Sequence, residues 1–311
     1  MKKQKYKINN DYFEKIDKPD KAYILGFLYA DGCVYEKWSK MDLQIDDIEI
    51  LYKMKLYMEN ECPIRIYSDK KTWFYNKEGE RVYYRKKDTC RMDIYSPKIS
   101  KDLIACGCIK HKTYDLTVPN ENIVPQNLQR HFIRGYLDGD GSLSYSERKR
   151  KNEGSYEHFN MTFTGTYEMV SSIRKIINEQ VCEFAGDIRS RKNNGVNNYT
   201  LNICGNDILL KICNWLYNDT DFYLERKYEK YIKLKNVIAE RNNRPLYKNR
   251  NKKFGLYKNG VLVDIYDSVY VLEKNSLEKY GVYMNHNSIR GYLKNKYKTD
   301  TYKGFQLKYI A

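Results

Sequence analysis

Two short stretches of the sequence end in carboxylates that could hold a metal ion. ILGFLYADG, residues 24–32, ends in Asp31 and Gly32, and IRGYLDGDG, residues 133–141, ends in Asp140 and Gly141. A helix normally ends at a single glycine, and the carbonyl groups there carry partial negative charge that favours cations. Carboxylates at such ends need compensation, which a bound divalent cation would supply. Oxygen ligands favour Mg²⁺ or Mn²⁺ over softer metals.

The surroundings of the two stretches also repeat. Asp31 and Asp140 are 109 residues apart, as are Gly26 and Gly135. Each stretch is followed by alternating apolar residues and then by an amphipathic helical pattern, over residues 43–58 and 161–180. Each half continues with two further strand candidates and another helix. The sequence therefore predicts an α+β fold with two pseudo-symmetric halves, each ordered helix-strand-strand-helix-strand-strand-helix.

Small residues lie on one face of each predicted motif helix. Gly26 precedes Ala30 by four positions, and Gly135 precedes Gly139 by the same spacing. Such faces let two helix backbones approach closely, which would bring the aspartates at the two helix ends together. An Asp-Gly pair alone can be a purely structural turn. Two copies in matching context favour the functional interpretation.

Composition points to a polyanionic partner and divides the chain further. The net charge is +16, and 15 Lys or Arg against 5 Asp or Glu lie between residue 241 and the end. This surplus predicts a basic tail domain. The predicted segments are an N-terminal arm (1–20), the first repeat (21–118), a linker (119–130), the second repeat (131–240), a basic linker (241–252) and a small C-terminal domain (253–311).

The remaining composition excludes several classes of protein. An apolar share of 41% argues against a largely disordered chain. The eight cysteines form no CxxC pair, which argues against a zinc ribbon, and we expect them to be reduced thiols. The N-terminus has no apolar signal core, and no run is long enough to span a membrane. We therefore expect a soluble, cytoplasmic protein, of a bacterial or phage-infected cell, without a membrane partner.

Both nonapeptides resemble the LAGLIDADG motif, and the chain from residue 21 to residue 231 resembles monomeric two-repeat LAGLIDADG homing endonucleases. The resemblance implies that the motif helices form the interface between the halves and that four-stranded saddles straddle double-stranded DNA. It implies that Asp31 and Asp140 are catalytic metal ligands, joined by the main-chain carbonyls of Ala30 and Gly139. Tyr29 departs from the motif, at a position that is not the metal ligand in the family.

The family also keeps a basic residue near each active site. Lys112 and Lys227 follow the last helical run of each half and are the candidates for this catalytic role, with Lys110 as an alternative to Lys112. The alternative for all three is a solvated surface lysine.

DNA recognition is predicted on the strands, where alternation presents every second side chain to one face. The C-terminal segment resembles the small helix-turn-helix modules appended to intron-encoded nucleases, with a recognition helix beginning near Asn287, Ser288 and Arg290. Its alternative is a basic helical domain that adds only non-specific affinity. The strand candidates for DNA binding are Arg65, Tyr67, Lys70, Arg85, Arg91, Arg148, Arg150, Arg189, Arg191 and Lys192.

These features predict a monomeric, Mg²⁺-dependent (or Mn²⁺-dependent) endonuclease that cuts both strands of a long specific DNA site, as mobile introns encode. An RNA-binding intron maturase on the same scaffold is the first alternative, and it would not need both carboxylates. The second is a DNA-binding regulator without catalytic activity, whose binding would be indifferent to divalent metal.

Overall fold

The chain folds as two units, residues 1–236 and 237–311. The structure is a computed structural model that describes residues 6–68, 71–108, 116–149, 155–191, 197–243 and 253–310. Several predicted residues lie outside these ranges, together with most of the predicted basic linker: Lys70, Lys110, Lys112, Arg150 and Lys192.

The first half of unit one begins with the first motif helix and contains an additional pair of strands. Its elements are α1 (Pro19–Asp31), β1 (Gly32–Val34), β2 (Ser39–Gln44), a 3₁₀ turn (Ile45–Asp47), α2 (Ile48–Tyr57), β3 (Arg65–Tyr67), β4 (Lys71–Tyr75), β5 (Arg81–Arg85), β6 (Thr89–Ile94) and α3 (Pro97–Ala105).

The second half repeats this order without the additional pair and ends in a longer helix. Its elements are α4 (Gln126–Asp140), β7 (Gly141–Lys149), β8 (Ser155–Gly165), α5 (Tyr167–Gln180), β9 (Asp187–Ser190), β10 (Tyr199–Cys204), α6 (Asn206–Tyr217) and α7 (Glu225–Asn243).

The sheets of the two halves have the same topology. Their strand orders are β1-β2-β6-β3 and β7-β8-β10-β9, and all neighbours are antiparallel. One face of each sheet is apolar and buried, as in Leu143, Met161 and Leu201 of the second half. The opposite face carries polar side chains, which is the pattern of a sheet that is covered on one side only. The predicted α+β fold with two pseudo-symmetric repeats is confirmed.

Helices α1 and α4 pack against each other along their motif residues. In α1, every residue from Ala22 to Tyr29 is buried, as expected for a helix that is apolar on all sides. A Cβ atom placed on Gly26 would lie 2.0 Å from the carbonyl oxygen of Phe132, and one on Gly135 would lie 2.0 Å from that of Tyr23. The two backbones are therefore in direct contact, and only glycine fits at these positions.

Two segments differ from the sequence prediction. The predicted N-terminal arm is packed onto the first half: Tyr12 and Phe13 are buried, and the amide of Asn9 donates to the Met58 carbonyl at 3.0 Å. The predicted linker contains the start of α4, because that helix begins at Gln126, directly after Pro125. In both places apolar residues bury their side chains where the sequence pattern alone indicated a connecting segment.

Within the described residues, the second unit contains the end of α7, a three-stranded sheet and two further helices. Its elements are β11 (Phe254–Lys258), β12 (Val261–Tyr266), α8 (Val269–Tyr280), α9 (His286–Leu293) and β13 (Gln306–Tyr309), with strand order β12-β11-β13. Asn259 and Gly260 form the two-residue hairpin loop, both with positive φ, as a type I′ turn requires. The core contains Phe254, Leu256, Tyr266, Leu272, Met284, Ile289, Leu293, Phe305 and Leu307.

The contact between α1 and α4 predicts that Gly135→Ala destabilises the protein. Helix propensity alone would favour alanine by about 1 kcal/mol, so a loss isolates the steric clash with the Tyr23 carbonyl. We expect the free energy of unfolding in urea to fall by about 2 kcal/mol. Asn127→Ala, at an exposed position of the same helix, is the control and should change stability by less than about 0.5 kcal/mol. Equal stability of both variants would contradict the close contact.

Candidate active site

The two motif aspartates are the last residues of α1 and α4. After each, a glycine in extended conformation (Gly32 or Gly141) donates its amide to the carbonyl of Leu28 or Leu137 and begins the next strand. These glycines are needed for space and not for a left-handed φ, because a Cβ on either would lie within 3 Å of the leucine carbonyl oxygen. The chain therefore turns directly from helix to strand at each aspartate.

Asp31 and Asp140 line the same cavity, which has a volume of about 710 Å³. A Cβ on Gly139 would lie 2.2 Å from the Ala30 Cβ and 3.2 Å from Asp31 Oδ2, so the Asp31 carboxylate lies against the end of α4. Asp31 is half-buried and Asp140 is exposed. The polar wall of the cavity comes from the second half, through Thr164, Thr166, Arg191, Asn197 and Asn198.

The electrostatics of Tyr136 reflect this arrangement. Its hydroxyl donates to the Thr164 carbonyl at 2.7 Å, and the ring lines the same cavity. Burial raises the pKa of Tyr136, and the negative charges of Asp140 and Asp31 raise it further. The phenol therefore stays protonated near the two carboxylates and can act only as a neutral hydrogen-bonding group.

Lys227 lies beside the end of α4 and is almost completely buried. Its ammonium group donates to three main-chain carbonyls: Leu137 at 2.5 Å, Asp138 at 2.7 Å and Gly141 at 2.8 Å. No basic residue occupies the last turn of α4, so Lys227 supplies from a distant part of the chain the cation that a helix end favours. Burial lowers the pKa of Lys227 to about 8, although the charge of Asp138 opposes the shift.

Asp138, the first acid of the second motif, is not part of the cavity. Its carboxylate is buried and accepts hydrogen bonds from Tyr23 at 2.7 Å, Tyr217 at 3.2 Å and the amide of Leu224 at 2.9 Å. Burial raises the pKa of Asp138, while Lys227 and these donors favour the charged form. Asp138 therefore joins α4 to α1 and to the chain that follows α6.

The first motif uses different chemistry at the equivalent position. Tyr29 precedes Asp138 by the repeat offset of 109 residues, and its hydroxyl donates to the Cys106 carbonyl at 2.5 Å. Cys106 directly follows α3, whereas Leu224 lies seven residues after the end of α6 and directly before α7. Tyr29 therefore donates to the chain after α3, and Asp138 accepts from the chain between α6 and α7.

Arg134 extends the polar contacts of α4 and was not predicted as a functional residue. The guanidinium is buried and donates to the carbonyls of Phe222 at 3.0 Å and Leu216 at 2.9 Å, and to His131 Nδ1 at 2.8 Å. Burial, followed by the charges of Arg134 and Arg130, lowers the pKa of His131 to about 3, so the ring is neutral. The signal in the sequence was the spacing of His131, Arg134 and Asp138, which puts three polar side chains on one helix face.

Residues 218–227, called the clasp segment below, rest on the first half. Phe222 stacks on Tyr57 with ring centroids 4.8 Å apart and contacts Tyr23 at 4.5 Å. Arg226 forms a bidentate ion pair with Asp47, at 2.9 and 3.1 Å. Through these contacts the same segment that holds Lys227 also fixes the first half relative to α4.

The donor set at the ends of α1 and α4 fits a hard divalent cation. Two carboxylates share one cavity, each next to the carbonyl end of a helix, and neither helix has a basic residue in its last turn. The main-chain carbonyls of Ala30 and Gly139 are at the same helix ends. Within the described residues, no group of three or more His, Cys, Asp or Glu side chains is placed to hold a metal ion. A cation here would therefore depend on two carboxylates, with main-chain oxygen and water as its remaining ligands.

The predicted DNA-binding residues of the first sheet lie on its polar face. Arg91 pairs bidentately with Asp42, at 2.5 and 3.2 Å, and its guanidinium lies 5.0 Å from the ring centre of Tyr67. Arg65 is opposite Arg91 in the strand register and pairs with Asp93 at 3.2 Å. Arg85 is on the separate β4–β5 hairpin.

In the second sheet, Arg148 and Arg189 are also exposed on the polar face. Arg148 is opposite Tyr156 near the end of the β7–β8 hairpin, and Arg189 pairs with Asp187 at 2.7 Å. Arg191 lies apart from them, in the wall of the cavity that contains the two aspartates. The predicted residues thus divide between the sheet faces, the hairpin and the cavity.

In the second unit, α8 and α9 are joined by a short turn that hydrogen bonds hold in place. Gly281 ends α8 with a φ of 70°, which favours glycine. Glu273 accepts from the hydroxyl of Tyr283 at 2.7 Å and from His286, through its amide at 3.2 Å and its ring at 2.9 Å. Asn285 begins α9 as an N-cap, accepting from the amide of Asn287 at 2.9 Å. Among the predicted residues, Asn287 is exposed, and Ser288 and Arg290 are half-buried.

The buried state of Lys227 predicts how stability changes with pH. Since its pKa is about 8 in the folded protein and about 10.4 in the unfolded chain, the unfolded chain binds more protons between these values. We expect the free energy of unfolding of the wild type, relative to Lys227→Met, to rise between these pH values by up to about 3 kcal/mol. Tyrosines and cysteines titrate in both proteins, so urea unfolding along a pH series isolates Lys227. A difference that is independent of pH would contradict its burial.

Across the whole chain, no helix within the described residues is long and apolar enough to cross a membrane. Comparison with protein-family models matches residues 133–238 to the family described as LAGLIDADG endonuclease. None of the curated proteins compared matches the sequence.

Solved structures with similarity to the chain include three proteins that share little sequence with it. I-SmaMI, described as a LAGLIDADG homing endonuclease bound to cleaved DNA, is 12% identical with a TM-score of 0.46, over 76% of this chain and 94% of that one. I-AabMI bound to uncleaved DNA is 10% identical with a TM-score of 0.46, over 72% and 92%. I-GzeII with its DNA target is 12% identical with a TM-score of 0.45, over 75% and 94%. Over residues 133–238, the chain is thus similar to the LAGLIDADG endonucleases.

Proposed function

We propose that this protein is a site-specific DNA endonuclease that uses divalent metal, Mg²⁺ or Mn²⁺, to hydrolyse one phosphodiester in each strand. The supporting observation is the position of Asp31 and Asp140, which share one cavity at the ends of two helices in backbone contact. One chain supplies both carboxylates, so a monomer contains the complete site. The family match over residues 133–238 supports the same reaction class.

In this proposal, the two aspartates and the carbonyls of Ala30 and Gly139 bind metal at the helix ends. A divalent cation, when bound, supplies positive charge to the scissile phosphate and activates water for attack. The carboxylates are held in place by the helix pair, so they need no rearrangement when DNA binds. Tyr136 stays protonated beside them and contributes no negative charge.

Lys227 remains our proposed basic residue for the second half of the site. Its three hydrogen bonds to α4 and Gly141 support a role in fixing the main chain on either side of Asp140. Lys112 is proposed for the first half by its equivalent place in the sequence, and it lies outside the described residues.

DNA would bind across the polar faces of the two four-stranded sheets. Arg65, Tyr67 and Arg91 are proposed contacts in the first sheet, and Arg148 and Arg189 in the second, because alternation presents them on the face opposite the core. Their ion pairs with Asp42, Asp93 and Asp187 hold the guanidinium groups in defined positions, where they can contact phosphates or base edges. The remaining proposed contacts are Lys70, Arg85, Arg150, Arg191 and Lys192.

The second unit is proposed to bind DNA as a small helix-turn-helix-like module. Glu273 and the Asn285 cap fix the N-terminus of α9. The N-terminal residues of a recognition helix are the ones that contact base edges. Arg290 lies 5.0 Å above the ring of Tyr270, which restricts its side chain. Asn287, Ser288 and Arg290 would then contact the major groove.

Replacing either catalytic carboxylate tests the reaction. We expect Asp31→Asn and Asp140→Asn each to lower double-strand cleavage at least about a hundredfold, because several kcal/mol of charge stabilisation would be lost. The assay is cleavage of a plasmid library with Mg²⁺, alongside DNA binding measured in the presence of a chelator. Asp300→Asn, an exposed position in the second unit, should cleave normally. Normal cutting by either site variant would refute the assignment, and metal-independent binding without scission by the wild type would favour the regulator.

Substitutions on α9 test the proposed recognition helix. We expect Asn287→Ala and Arg290→Ala each to weaken binding to the specific site about tenfold, the effect of losing a base contact. Lys274→Ala, exposed on α8, is the control and should weaken binding less. Binding is measured on an intact duplex with the sequence that the wild type cleaves, and on a duplex of unrelated sequence. Equal losses on both duplexes would show that α9 adds only non-specific affinity.

A further inference from the structure

The β4–β5 hairpin is the most exposed regular element of the first half. After β3, the chain enters this hairpin, and it returns through residues 86–88 to β6. Nine of its ten strand residues are exposed, among them Trp73 (44%), Tyr75 (56%) and Tyr83 (63%). Its turn is closed by backbone and side-chain hydrogen bonds between Asn76 and Glu80, at 2.8 to 3.2 Å. The hairpin is therefore a defined ribbon whose large aromatic side chains face solvent.

The strand register separates the side chains of this hairpin into two unlike faces. Opposite residues of an antiparallel pair share a face, so Lys71 with Arg85, Trp73 with Tyr83, and Tyr75 with Arg81 form one face. This cationic face contains every charged residue of the two strands.

Side-chain contacts on the two faces agree with the register. The Arg81 guanidinium lies 4.6 Å from the Trp73 ring centre on the cationic face. The other face carries Phe74, Val82, Tyr84 and Thr72, without charge, and Phe74 contacts Tyr84 at 5.8 Å.

Chain length prevents an equivalent hairpin in the second half. Twenty-one residues, 68–88, separate β3 from β6, whereas eight, 191–198, separate the equivalent strands β9 and β10. Two five-residue strands and a turn, as in residues 71–85, do not fit into eight residues. For the first hairpin of each half, the second half has the longer one: β7–β8 spans residues 141–165, whereas β1–β2 spans 32–44.

We infer that the cationic face of the β4–β5 hairpin binds the major groove of duplex DNA beyond one end of the target, and that the second half has no equivalent hairpin between β9 and β10. The inference rests on the proposed function. The face carries three cations and no acidic strand residue, which matches a polyanion, and the rings of Trp73 and Tyr75 lie 4.6 and 5.9 Å from the Arg81 guanidinium. Arg85 also pairs with Asp88, beyond the end of β5, at 3.4 Å. A two-stranded ribbon fits the width of the major groove. Five strand residues extend about 17 Å, which corresponds to about five base pairs.

A thermodynamic cycle between protein and DNA tests this inference. The probe is a duplex carrying the sequence that the wild-type protein cleaves, selected from a randomised library, with about five base pairs removed from either end. For the wild type, we expect shortening of one end to weaken binding about tenfold or more and shortening of the other end to weaken it clearly less. For the triple variant Lys71→Ala/Arg81→Ala/Arg85→Ala, shortening of that end should no longer weaken binding. The slope of log affinity against log salt should become less steep by about 3.

Phe74→Ala/Val82→Ala, on the uncharged face of the same hairpin, is the matched control and should keep the sensitive end. Circular dichroism spectra of all variants should match the wild type. If the wild type cleaves its site but is equally sensitive to both ends, or if the control loses the sensitive end as well, this inference fails and the proposed function stands. If the wild type cleaves no duplex with Mg²⁺ or Mn²⁺, the proposed function fails and removes the basis of the inference.

Discussion

The contact between α1 and α4 is the constraint on which the rest of the first unit depends. Gly26 and Gly135 each face a carbonyl of the opposite helix, so the two backbones touch where other helix pairs are separated by side chains. This distance places Asp31 against the end of α4 and opens the shared cavity beside both aspartates. Since both sheets begin at these helix ends, through Gly32 and Gly141, the helix pair also fixes where each sheet starts.

Buried charged groups fix the end of α4 through hydrogen bonds. Lys227 and Asp138 lie in the interior, where an unpaired charge would be costly, and each has three hydrogen-bond partners. Arg134 connects the same helix to Leu216 and Phe222. A proposed catalytic carboxylate at this helix end gains from such support, because a site held by packing and hydrogen bonds keeps its geometry without reorganisation.

The sequence allowed the repeat, the order of elements and the pairing of the motif helices to be predicted, because spacing and alternation directly reflect which face of an element is buried. It did not reveal the partners of buried polar groups. The surface-like composition around Lys227 gave no sign that its ammonium group reaches Leu137, since that contact depends on how the clasp segment folds back. The packing of the predicted N-terminal arm was also not foreseen: its buried residues Ile8, Tyr12, Phe13 and Ile16 lie in turns and irregular chain, so they belong to no helix or strand pattern. The sequence did not indicate the additional hairpin, because no change of period marks where β3 ends and β4 begins.

The clasp segment limits which halves can be combined in a chimaera of this protein and another. The clasp segment belongs by sequence to the second half, but it contacts the first half. Phe222 packs on Tyr23 and Tyr57, and Arg226 pairs with Asp47. In the first half, the residue equivalent to Asp138 is Tyr29, whose hydroxyl donates to the Cys106 carbonyl. The first motif therefore has no carboxylate that could accept the amide of a clasp segment. The halves are therefore not interchangeable modules. A chimaera with a foreign amino-terminal half must therefore keep residues equivalent to Tyr23, Tyr57 and Asp47. Without them the clasp segment would lose its contacts, and Lys227 its position beside Asp140.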